Sequence, residues 1–113
     1  MDPMFVLDRI ASLFPGKRLL ALANLAAERA HDAIWLRVIR SAITMNEHEA
    51  QGYIRARAAA VIQRESARIL YDEPALSGAR ENLISKATEI AVASVWSQIA
   101  SLQRQSQTRR RAA

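Results

Sequence analysis

The chain of 113 residues has no cysteine. That excludes disulfides, thiol nucleophiles, cysteine-ligated metals and redox motifs, and it fits a cytoplasmic setting. Glycine and proline number three each, too few for the repeated turns of a strand-rich fold. Alanine, the strongest helix former, is abundant, so the expected class is all-α. Two residues each of Trp, Tyr and Phe leave little material for a bulky aromatic cleft. No apolar run approaches the roughly 20 residues that cross a bilayer, and a membrane role is not expected. Leu19 to Ala27 follows Lys17-Arg18 and superficially suggests a secretory signal. Its leader carries Asp2, Asp8 and a Pro15-Gly16 break, which fit a signal poorly and a packed helix better. Phosphate-loop, dinucleotide and zinc-finger spacings are also missing.

What is present begins with charge. The formal net charge is +5, but four arginines, Arg104, Arg109, Arg110 and Arg111, fall in the last ten residues with no acid among them. The remaining 12 basic residues face 11 acidic ones, so the body is nearly neutral. Residues 1–103 are expected to form a single helical domain and 104–113 a basic, flexible tail without large apolar side chains.

Within the body, punctuation divides four helices. Asp2 is placed to cap a short amphipathic helix over Pro3–Phe14, with Met4, Phe5, Leu7, Ile10, Leu13 and Phe14 as its apolar surface; Pro15-Gly16 ends it. A second helix is expected from about Lys17 to Thr44, with Trp35, Ile39 and Ala42 at core spacing and Leu36 and Ile43 beside them. Its first half points Asn24, Glu28 and His31 toward the Trp35 side, so a change of packing partner partway along is expected. Asn46-Glu47-His48-Glu49 has the spacing of a capping box and starts a third helix that runs to about Tyr71. Asp72-Glu73-Pro74 closes it. The fourth helix is expected over about Gly78–Gln103, with Leu83, Ala87, Ile90 and Ser94 as its leading stripe. Three long antiparallel helices after a short one make a bundle. Their alanines bury little area, so a second copy is expected to cover the surplus apolar arc in a homodimer, with Phe5, Phe14 and Trp96 as interface anchors.

Chemistry-bearing groups are sparse. Glu28-x-x-His31 with Asp32 is the minimum pattern for a carboxylate-rich metal site, to which Glu49 or Glu65 would add ligands from another helix. A polar helix face is the simpler account, and no cofactor is expected. Glu47-His48-Glu49 cannot converge, because adjacent helical residues point about 100° apart, and capping explains it. No nucleophile or acid–base constellation is recognisable, so catalysis is not expected. Arg57, Arg64 and Arg68 fall within an arc of roughly 40° on one helix face, while Arg55 points nearly opposite. That strip and the cluster Arg109, Arg110, Arg111 are the candidate partner-binding residues. They point first to a noncatalytic adaptor or regulatory protein that recruits an acidic protein. The alternatives are a nucleic-acid-associated protein whose dimeric bundle surfaces and basic tails grip phosphates, and a metal-binding helical protein.

Overall fold

The structure, a computed structural model, describes residues 15–112. The helix expected over Pro3–Phe14, with the proposed anchors Phe5 and Phe14, lies outside the described residues. Within them the chain is all-helical: α1 (Pro15–Ala42), α2 (Glu47–Tyr71), a 3-10 segment (Pro74–Ala79) and α3 (Arg80–Ala112). Each long helix packs against both of the others.

Local chemistry sets the boundaries. Pro15 occupies the first position of α1, where a missing backbone N–H costs nothing. Asn46 is extended, and its Oδ1 accepts from the Glu49 amide at 2.9 Å, which starts α2. The side chain of Glu47 accepts from Gln51 one turn on, and its charge sits where the helix dipole favours it. Asp72 terminates α2 by donating its amide to the carbonyls of Ile69 and Leu70, and Pro74 opens the 3-10 connection.

Two long-range contacts fix the direction of each rod. Arg18, near the start of α1, pairs with Glu73 just beyond the end of α2, so α1 and α2 are antiparallel. Near the other end of α1, Gln103 of α3 reaches Ile43 and Met45. Helices α1 and α3 therefore run parallel, and α2 runs against both. The fold is an up-down-up three-helix bundle.

Its core follows a strict four-residue repeat. In α1 the buried positions include Leu22, Ala26, Ala30, Ile34, Val38 and Ala42; in α2 they include Ala50, Ile54, Ala58, Ile62, Ser66 and Leu70. In α3 the series is Leu83, Ala87, Ala91, Val95 and Ile99. On a helix of about 3.6 residues per turn, each four-residue step advances the stripe by about 40°. A repeat longer than 3.6 keeps facing inward when helices wind around one another in the right-handed sense. Among the described residues alanine supplies nine of the buried apolar side chains, which lets the backbones approach closely.

That repeat corrects the expected stripe of α1. Ile34 and Val38 are fully buried, whereas Trp35 and Ile39 are half-buried and Leu36 is 77% exposed. The contrast between the two halves of α1 needs neither a kink nor a polar core. The helix is unbroken, and its buried side turns steadily from the Leu19–Leu22 azimuth to that of Ala42. The α3 stripe shifts likewise: Ala91 and Val95 are buried, Ile90 is half-buried and Ser94 is exposed.

The residues expected as a basic tail continue α3. Residues 104–112 are its last turns, and every one of their side chains is exposed. They continue past the turn between α1 and α2 as a single helix. Extending an existing helix avoids the unfavourable nucleation step, and arginines in the last turn favour the dipole.

Candidate functional site

The arginine strip on α2 is exposed as its spacing requires. Arg68 donates to Glu65 one turn earlier at 3.1 Å, and the Arg57 guanidinium lies 5.3 Å from the Tyr53 ring centroid. Both have partners within their own helix; Arg64 has no ion pair among the described residues. Arg55 faces away from the strip and joins α2 to α3 through Glu89 at 2.8 Å. Exposed pairs of this kind contribute only about 0–1 kcal/mol, so the strip has a modest local rationale.

The second cluster is arranged differently. Residues 104–112 carry four arginines, no acid, and Gln105, Ser106, Gln107 and Thr108 between them. At about 100° per residue, Arg111 returns to the azimuth of Arg104, while Arg109 and Arg110 fall some 120–140° to either side. Positive charge therefore points in three directions around an isolated helix. The only side-chain hydrogen bond there, among the described residues, runs from the Thr108 hydroxyl back to the Arg104 carbonyl at 3.0 Å.

The two basic clusters do not form one surface. From the turn where Gln103 meets α1, Arg110 lies about 10 Å outward along α3, at about 1.5 Å per residue. Arg57 and Arg68 lie about 17 and 33 Å the other way along α2 by the same rise.

A shallow groove of about 520 Å³ separates α1 and α3, lined by Asn24, Ala27, Glu28, His31 and Asp32 on one side and Ile90, Ser94 and Gln98 on the other. Thus Glu28, His31 and Asp32 do share a wall, but they do not form a chelating set. The Asp32 side chain is fully exposed and touches His31 Nδ1 only at 3.4 Å. His31 stacks on Trp35, with centroids 6.4 Å apart and rings 11° from parallel, and its buried Nε2 has no hydrogen-bond partner. Glu49 lies in the first turn of α2 and Glu65 pairs with Arg68, so neither joins the groove. Among the described residues no three His, Asp or Glu side chains are grouped to hold a metal ion. His48 is exposed beside the α2 cap. Trp96 is half-buried and packs against the core.

Sequence reasoning missed two features. The groove joins residues 58 or more positions apart, a separation that local periodicity does not report. The projecting helix was hidden by its lack of large apolar residues, although its composition of Gln, Arg and Ala is favourable to helix. No helix among the described residues is long and apolar enough to cross a membrane. Comparison with protein-family models, with curated proteins and with solved structures finds no match to this chain.

Proposed function

We propose that the chain is a noncatalytic helical adaptor or regulatory protein that engages an acidic macromolecular partner through exposed arginines. The observation that carries this reading is the end of α3. Its arginines lie outside the bundle, make no ion pair among the described residues and have no acidic neighbour from Ile90 onward. Arg57, Arg64 and Arg68 supply a second, weaker contact for a partner long enough to pass along α2.

Retention on immobilised polyanions, both heparin and polyglutamate, tests the reading. The full chain should elute at higher salt than a variant lacking residues 104–113, and Arg57, Arg64 and Arg68 changed together to alanine should produce a smaller shift. Equal elution of the full chain and the truncated variant rejects the proposal.

The adaptor acts as a homodimer in a cytoplasmic setting. Support comes from Leu36 at 77% exposure and from half-buried Trp35 and Ile39 on the same helix, whose apolar area a second copy would remove from water. Sedimentation equilibrium should give twice the 12.6 kDa chain mass; a single-chain mass at micromolar concentration rejects the dimer.

A further inference from the structure

We infer that the acidic partner is duplex DNA, and that residues 104–112 enter its major groove as a rigid helix. This rests on the proposed reading that the end of α3 is the binding element. Three observations select this occupant over an acidic protein surface. Charge points in three directions around the helix: Arg104 with Arg111, Arg109, and Arg110. A protein surface that meets one face of a helix leaves at least one of these azimuths in solvent. A groove walled on both sides by phosphates engages two on its walls while the third faces the base edges on its floor.

The second observation is size. Nine helical residues span about 13 Å at about 1.5 Å each, and a helix with its side chains is about 10–12 Å across. The major groove is about 12 Å wide and admits one α-helix. The bundle cannot follow the helix into the groove, because α1 and α2 end at the level of Gln103. The projecting segment is the part thin enough to enter.

The third is the chemistry between the arginines. Gln105, Ser106, Gln107 and Thr108 are exposed, uncharged, hydrogen-bonding side chains, the types that meet base edges and phosphates in a groove. The arginines supply the affinity, and these four residues fill the space against the bases.

The test measures binding of the full chain to a fluorescein-labelled duplex of mixed sequence by anisotropy at several salt concentrations. The same single strand and polyglutamate serve as alternative probes. Duplex binding should be the tightest, with a log–log salt slope near −3, as expected for about three or four phosphate contacts. Arg109→Ala and Arg110→Ala should each flatten the slope by about 1. The deciding variant is Thr108→Pro, which keeps all four arginines but breaks the projecting helix against the Arg104 carbonyl. It should weaken duplex binding at least tenfold while the thermal melt of the bundle stays unchanged. Unchanged binding by Thr108→Pro, or equal affinity for the single strand, overturns groove entry and leaves a charged arm. Binding to polyglutamate but not to duplex overturns the nucleic-acid partner while sparing the proposed function. Binding to none of the three probes removes both.

Discussion

The Gln103 side chain donates its amide hydrogens to the carbonyls of Ile43 and Met45, at 2.9 and 3.0 Å. One residue of α3 thus satisfies two backbone acceptors in the turn between α1 and α2, which have no helical partner. Gln103→Ala should cost about 1–2 kcal/mol, since both carbonyls are part-buried and would depend on water for a replacement. Gln103→Glu should cost more, because it faces the same carbonyls with a charged acceptor. Urea denaturation of both variants checks the order; equal stability of Gln103→Ala and the parent contradicts it.

Ser66 is fully buried, and its hydroxyl has no hydrogen-bond partner. Replacing it with alanine removes an uncompensated polar group and improves helix propensity. Ser66→Ala is expected to stabilise the bundle by about 0.5–2 kcal/mol. A lower urea midpoint for Ser66→Ala would show that the hydroxyl has a partner after all.

Two exposed positions at the start of α2, Gly52 within it and Asn46 capping it, should move stability in opposite directions. Gly52 is helical, and a methyl group built there meets nothing within 4 Å, so Gly52→Ala should add about 0.5–1 kcal/mol. Asn46→Ala removes the bond to the Glu49 amide and should cost about 0.5–2 kcal/mol. Thermal melts followed by circular dichroism resolve both signs.

Packing distinguishes Ala30 from Leu36 six residues away. Ala30 is fully buried in the alanine-rich seam, and Ala30→Leu should force the helices apart at a cost of about 1–3 kcal/mol or more. Leu36→Gln removes an apolar side chain that is mostly in water and should change monomer stability by less than about 0.5 kcal/mol. If Leu36→Gln instead unfolds the chain at low concentration, its side chain is buried in an obligate assembly.

How much was legible in the sequence divides along the range of the interactions. The return bond from the Glu49 side chain that a capping box implies is not formed among the described residues. The start of α2 was still readable to the residue, because Asn46 caps backbone three positions away. Its end was readable for the same reason, from Asp72-Glu73-Pro74. The core azimuth of α1 departs from the stripe of large side chains: Trp35 and Ile39 stand out in the sequence yet are half-buried, while Ala26 and Ala30 do not stand out and are fully buried. Buried alanine is the signal here, and its four-residue spacing runs through all three helices. Glu28 and His31 were correctly placed on one face. Their opposition to Ser94 and Gln98 depends on the register of α1 against α3, which no local pattern encodes.

The parallel course of α1 and α3 has a practical consequence for handling the molecule. Among the described residues, Lys17 and Arg111 lie toward opposite ends of the bundle. A tether attached on the Lys17 side therefore holds the chain upright with its arginines facing the solution. A tether attached beyond Arg111 would press them against the support and silence the same preparation. Which end is immobilised decides what a binding experiment can see.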